Sequence, residues 1–417
     1  MSSAHLSLTL LLVAAPALIC AQTPANLDHK MPAKTQSSAA VHRSALVIDT
    51  HADTPQRFVD EHFDLGDSLK GGQLNLESAR KGNLGAEFFS IWVDPEQYKG
   101  RYAGRTMDLI AAVKQQVARH RDKLEFVATP AGIELAHREH KMAVLMGIEG
   151  GHSIEDSIPL LRQYYALGVR YMTLTWTNSN DWAESSGDSR PDSVSSSPSR
   201  PAGLTPFGRQ VIAEMNRLGM MVDLSHVSDR TFDEVLAVTR APVLVSHSAA
   251  RALTASLRNL TDAQLRALAA NGGVCMVNFY PAFIDEPYRQ AWAAQKPALI
   301  AAHKSLAAEY AARGTPVPYH IASRIDRDFA ARLPRPPLSS LIDHFDHIIR
   351  VAGIDHVGLG TDFDGICALP EGINSAADLP KITAALLARG HSPASLHKLL
   401  GANLLRLFAA TQTADVA

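Results

Sequence analysis

Residues 45–53 read "ALVIDTHAD", an apolar run of the kind that fills a strand, then Thr, then a histidine and an aspartate one residue apart. A strand alternates faces, so His51 and Asp53 project to the same side at its carboxyl end. They either open a turn, as Asp, Thr and Pro after a strand often do, or form a pair able to share one metal ion. Working outward, similar apolar runs recur at about 86–93, 143–148, 169–175, 220–225, 242–246, 273–279 and 356–360, with the first at 45–50. Amphipathic segments lie between them at 104–119, 155–167, 205–218, 228–239 and 261–270, and Ser228 and Thr261 stand where N-caps belong. Strands alternating with helices predict an α/β fold, a (β/α)8 TIM-like barrel. An open doubly wound sheet is the rival, but no Gly-rich phosphate fingerprint follows the first strand.

The 417 residues, 46% hydrophobic and 20% charged with a formal net charge of −2, suit one large domain or two smaller ones. That balance gives no reason to expect nucleic acid or an anionic lipid surface as partner. Residues 1–21 hold an apolar run too short to span a bilayer and ending in small residues, the pattern of an export signal cleaved near Ala21. Lipidation of Cys20 fits poorly, because Ile19 precedes it. The protein is therefore expected to be exported, periplasmic or secreted, with Cys275 and Cys367 as unpaired small hydrophobes. Residues 22–42 are polar and expected as a flexible lead-in to a single domain over 43–410. Two insertions interrupt that domain: a Ser/Pro-rich loop at about 184–204 and a longer excursion at 281–338. Each either roofs a pocket or decorates the surface.

Comparison of the strand ends makes the reading specific. Glu149 follows "AVLMGI", His226 follows "MMVDLS", His247 follows "PVLVS" and Asp362 follows "HVGLGT". With His51 and Asp53, three histidines and three carboxylates stand at the ends of five expected strands, which a barrel brings to one pocket. Neutral imidazoles with carboxylates suit zinc first, then manganese, cobalt or iron. Five ligands exceed the needs of one catalytic zinc, so two ions are expected, with Glu149 as the bridge, His51 and Asp53 on one ion, and His226 and His247 on the other. Such a pair, roughly 3.5–4 Å apart, shares a water, lowers its pKa toward about 7 and polarises a carbonyl, which points to hydrolysis of an amide or ester. Asp362 is left as proton carrier, with turn capping as its other role and Asp364 equally placed to cap.

The blocks "IDTHADTP", "GIEGGHSIEDSIPLLRQYYALGVRYMTLTW", "MMVDLSHVSDRTF", "PVLVSHSAARAL" with "LRNLTD", "GGVCMVNFY" and "HVGLGTDFDG" resemble the renal, or membrane, dipeptidase family of zinc peptidases. The resemblance implies a barrel with two zinc ions held by the same five residues, Arg258 on the substrate's terminal carboxylate, and Asp362 as acid/base residue. It implies a pocket lined by Tyr280, a supporting role for His152 beside the ligands, and a homodimer. It also implies small dipeptides as substrates, including those with D- or dehydro-amino acids, and in some members carbapenem-type β-lactams. One departure stands out: where the family carries a substrate-contacting histidine this chain has Trp176, so Asn178 or Asn180 is a candidate for the missing polar contact. Trp176 motivates two alternatives on the same metals, an N-acyl amino acid amidase or lactonase and a catalytically silent zinc-holding binding protein.

Overall fold

The computed structural model describes residues 36–187 and 202–413. The export-signal stretch, Cys20 and the centre of the Ser/Pro-rich insertion lie outside the described residues. Nine strands run parallel: β1 (Val47–Ala52), β2 (Leu84–Trp92), β3 (Leu124–Phe126), β4 (Met142–Glu149), β5 (Val169–Thr173), β6 (Met221–Asp223), β7 (Leu244–Ser248), β8 (Val274–Val277) and β9 (Val357–Leu359). β1 pairs with both β2 and β9, and β2 pairs with β4 from Ala86↔Ala143 to Trp92↔Glu149. Eight strands thus close a barrel in the order β1, β2, β4, β5, β6, β7, β8, β9. They are the eight expected from the apolar runs. The short β3 lies beside the start of β4 and was not expected, because three residues with Glu125 at the centre carry no periodic pattern.

Two apolar layers follow from strand alternation. Ile48, Phe88, Leu145, Tyr171, Met221, Leu244 and Met276 fill the barrel, and Leu404, Leu407 and Phe408 of the helix Asn403–Thr413 close its floor. The opposite strand faces, with Val47, Phe89, Met146, Met172 and Val245, pack under the surrounding helices. The expected caps are present. The Ser228 hydroxyl accepts from the Thr231 amide, and Thr261 forms a reciprocal capping box with Gln264.

Three expectations are refined. Within the lead-in, Ser38–Ser44 is a helix rather than flexible chain; Val41 is buried, and the buried His42 reaches Gly82 O at 2.8 Å and Thr383 Oγ1 at 2.7 Å. The 281–338 excursion is a roof, built from the long helix Glu286–Ala312 and the shorter helix Tyr319–Ala330. Gln97 exchanges two hydrogen bonds with Val317, the Tyr319 amide donates to Asp60, and the Tyr319 hydroxyl donates to Asp364 O at 2.6 Å, fastening the roof to the barrel rim. The 184–204 insertion is pinched at its base by an antiparallel bridge between Ala183 and Leu204. Among the described residues, no helix is long and apolar enough to cross a membrane, and Cys275 and Cys367 are free.

Gly147 of β4 faces Tyr171 of β5 inside the barrel, and a Cβ there would lie 1.9 Å from the tyrosine ring. Gly147→Ala is therefore expected to destabilise the fold by about 1–3 kcal/mol through overpacking. An unchanged midpoint in thermal or urea unfolding would contradict this packing.

Candidate metal centre

The backbone places the ligand set before any side chain is considered. At the end of β1, the Asp53 amide donates to Phe363 O and the Asp362 amide donates to His51 O, so the turn after β9 is laced to the turn after β1. His226 and Asp362 both sit at positive φ, 68° and 64°, a conformation that costs a residue with a Cβ roughly 1–3 kcal/mol. Neighbours enforce it at His226, whose carbonyl accepts from the Ser186 amide at 2.8 Å and from the Ser185 hydroxyl at 3.2 Å. Gly365 is needed for a different reason, since a Cβ there would lie 2.0 Å from Asp53 Oδ2.

The side chains of β1, β4, β7 and the turns after β6 and β9 meet at the barrel's carboxyl end. His51 Nε2 lies 3.4 Å from Asp53 Oδ2 and 3.4 Å from Glu149 Oε2. The other Glu149 oxygen lies 2.9 Å from His226 Nε2 and 3.4 Å from His247 Nε2. Those two imidazole nitrogens are 2.9 Å apart. One atom each from His51, Asp53 and Asp362 also falls within 4.8 Å of the others, so Asp362 belongs to the cluster. None of the six residues is more than 8% exposed.

This donor set fits divalent cations. His51 Nε2 and Asp53 Oδ1 are buried without a hydrogen-bond partner among the described residues, an arrangement that costs free energy unless something positive sits between them. Burial, with the charge of Arg258 adding to it, holds His226 down to about 4, and burial with His51 holds His247 well below its usual range; both rings are neutral at pH 7, as ligation requires. Burial pushes the Asp53 and Asp362 carboxyls up, with Glu149 nearby adding to both. Glu149 moves the other way, because His51, His226 and His247 around it outweigh its burial.

Supporting groups fix the free ring nitrogens of His51 and His247. His51 Nδ1 meets the Tyr171 hydroxyl at 2.9 Å, which itself donates to Thr50 O. His247 Nδ1 meets Ser246 Oγ at 2.8 Å, and that hydroxyl donates to Asp223 Oδ2 at 2.6 Å. Asp223 also accepts from Thr173 Oγ1 and from the amides of Ser225 and Ser246. These contacts leave each Nε2 lone pair aimed at the cluster. Ser90 donates to Glu149 Oε2 at 3.1 Å, and Asn278 donates to Asp362 Oδ2 at 2.8 Å. Tyr171, Asp223, Ser90 and Asn278 were not singled out from the sequence. The one available signal was Asp223, an acid inside an apolar strand, for which solvent exposure is no explanation.

Arg258, Trp176 and Tyr280 line a cavity of about 820 Å³ that also contains the cluster. Arg258 donates to His247 O at 3.0 Å and lies 5.3 Å from the Phe283 ring; its Nε is buried without a partner among the described residues, and burial lowers the guanidinium to about 10. Trp176 lines the cavity, with its ring 4.9 Å from Trp92 and 6.4 Å from His226. Tyr280 lines the cavity beside Cys367. His152 points away: its Nε2 bonds Val93 O at 2.8 Å, tying the turn after β4 to the end of β2. Asn178 and Asn180 do not line the cavity, and Asn180 is occupied in its own loop with Leu174, Trp182 and Ala183. Neither replaces the polar contact that Trp176 lacks.

The Asp223–Ser246–His247 chain generates a prediction. Asp223→Asn is expected to weaken binding of a divalent ion by about 10–100-fold, read by competition with a chromogenic chelator, with the circular dichroism unchanged. Undiminished affinity would remove Asp223 from any role in orienting His247.

Residues 35–417 match the family model described as membrane dipeptidase, peptidase family M19. The chain is 34% identical over 391 residues to Dipeptidase 3 of Homo sapiens, covering 93% of this chain and 68% of that protein. It spans about two thirds of the length of the human and mouse Dipeptidase 3 sequences. Its fold is similar to that of the probable dipeptidase PvdM from Pseudomonas aeruginosa, with a TM-score of 0.73, 26% identity and coverage of 90% of this chain and 98% of that one. A metallopeptidase from Rhodobacter sphaeroides, liganded with a phosphinate mimic of the dipeptide L-Ala-D-Ala, matches at a TM-score of 0.69 and 26% identity, covering 88% and 99%. With its barrel, its buried cluster of candidate metal ligands and a match over nearly its whole length, this chain belongs to the membrane dipeptidase family, the metallo-dipeptidases of peptidase family M19.

Proposed function

We propose that the protein is an exported, dinuclear zinc dipeptidase that hydrolyses the peptide bond of small dipeptides bearing a free amine and a free carboxylate. The observation that carries this reading is the division of Glu149 between two half-sites, one oxygen toward His51 and the other toward His226 and His247. His51 and Asp53 on one side and His226 and His247 on the other, with Glu149 between, would hold two divalent ions, whose chemistry would be to activate a water and polarise the scissile carbonyl. Export rests on the signal-like residues 1–21.

The chain's own residues supply the rest. Asp362 Oδ2 is occupied by Asn278, which leaves Oδ1 to accept a proton from the attacking water and return it to the departing amine nitrogen. Arg258 offers a guanidinium fork with an uncommitted buried Nε to the terminal carboxylate. Trp92, Trp176 and Tyr319 form an aromatic wall that keeps bulk water from the reacting bond. The Trp176 indole donates but neither accepts nor titrates, so no proton passes through that position.

Turnover of Gly-D-Ala that stops on chelation and returns with zinc is the expected result. Arg258→Ala is expected to raise KM by about 10–100-fold with little change in kcat, the cost of losing a charged hydrogen bond made equally in ground and transition states. Asp362→Asn is expected to lower kcat by about 10²–10⁴-fold. If neither substitution alters turnover, these roles are wrong. Faster cleavage of N-acetyl-Gly-D-Ala than of Gly-D-Ala would instead establish the amidase reading that Trp176 raises. Zinc binding without cleavage of any dipeptide would establish the silent binding protein.

A further inference from the structure

Three of the candidate ligands ride on strands. His51 lies in β1, Glu149 ends β4 and His247 lies in β7, so the sheet itself holds their backbones. His226 has no such support. β6 ends at Asp223, three residues earlier, and His226 stands on the turn beyond it at φ 68°. Its ring is also the least supported of the three histidines. Nδ1 of His51 and of His247 each meets a hydroxyl, whereas Nδ1 of His226 is buried without a hydrogen-bond partner among the described residues. The aim of His226 Nε2 therefore depends on its backbone.

What holds that backbone is the base of the 184–204 insertion. Ser185 forms an antiparallel bridge with Val227, the Ser186 amide donates to His226 O at 2.8 Å, and the Ser185 hydroxyl approaches the same carbonyl at 3.2 Å. The chain beyond the histidine is gripped as well. The Ser228 amide donates to Glu184 O at 2.9 Å, the Ser228 hydroxyl to Glu184 Oε2 at 2.8 Å, and the Thr231 hydroxyl to Glu184 O at 3.0 Å. Ser185 Oγ also lies 2.5 Å from Trp176 O, so one buried hydroxyl joins the segment after β5 to the turn after β6. The base is closed on itself: the Glu184 amide donates to Gly203 O, the Gly203 amide donates to Glu184 Oε2, and Ala183 bridges Leu204. A non-glycine residue persists at positive φ only where its surroundings over-determine it. At His226 the insertion base supplies those surroundings.

We infer that residues 184–186, the base of the insertion, are a built part of the metal centre, with Ser185 a positioning residue that keeps His226 aimed at the ion of its half-site. The role assigned to Ser185 rests on the two-ion reading proposed above and deepens it. Glu149 and His247 are held by their own strands, so loss of the clamp falls on one half-site and spares the one formed by His51 and Asp53.

The test titrates the zinc-loaded protein with a chromogenic chelator and reads the loss of each ion. His226→Ala marks the step that belongs to its half-site. Ser185→Ala is expected to weaken that step about tenfold and to leave the other within about twofold, a selectivity that a general loss of stability would not produce. Ser185→Cys, nearly the same size but a weak donor, carries the test should the alanine variant not fold, with an expected loss of about threefold. Replacing residues 188–201 by an equal number of Gly and Ser residues keeps the base and is expected to leave both steps within about twofold. Three outcomes overturn the role of Ser185: both steps unchanged in its variants, both weakened alike, or a larger loss from the 188–201 replacement than from Ser185→Ala. A wild-type protein that releases a single ion overturns the two-ion reading instead. Ser185 is then upheld if its substitution weakens that ion more than the 188–201 replacement does, and overturned if it does not.

Discussion

The crowding of Asp53, Glu149 and Asp362 at one buried point is the constraint on which the rest of the molecule depends. Two like charges about 4 Å apart repel by roughly 4 kcal/mol at an effective dielectric of about 20; here Asp53 and Asp362 bring ligand atoms within 4.8 Å of each other, and Glu149 lies 3.4 Å from the same His51 nitrogen that Asp53 meets. The strain at His226 and Asp362, both held at positive φ, adds to the cost. The arrangement becomes favourable when positive charge is bound, and metal affinity and folding stability are then linked in this region.

That cost is carried by the layer beneath. Tyr171 occupies the barrel axis against Gly147, and its hydroxyl sets the tautomer of His51. Asp223, buried among strand amides and hydroxyls, reaches His247 through Ser246. Below them Ile48, Phe88, Leu145, Met221, Leu244 and Met276 pack an apolar layer closed by Leu404, Leu407 and Phe408. Charge density therefore rises along the barrel axis from floor to mouth. A rigid, dry lower half holds an upper half whose geometry would otherwise relax.

The amino-acid sequence carried the ring strands and the side chains that meet at their carboxyl ends because both depend on local pattern. A strand filled by Val, Ile, Leu and Met announces itself, and a His, Glu or Asp just past its end stands out against it. What it carried poorly depends on partners far along the chain. Asp223 and Tyr171 look like ordinary members of strands until the strand order sets them beside Ser246 and His51. Ser38–Ser44 reads as polar lead-in because its buried contacts, Gly82 and Thr383, are supplied by distant segments. His152 was drawn toward the ligands by its closeness in sequence to Glu149, yet the turn carries its ring to Val93.

The roof presents the opposite case, since its composition was legible and its role was not. An Ala-rich excursion with Pro-rich flanks fits surface decoration as well as a lid. The decision rests on a few hydrogen bonds between distant positions: Gln97 to Val317, 220 residues apart, Asp60 to Tyr319, 259 apart, and Asp364 to Tyr319, 45 apart. These bonds fasten the roof over the cavity that holds the cluster. Trp176 lines the same cavity, where an indole contributes surface and a histidine would contribute a proton site.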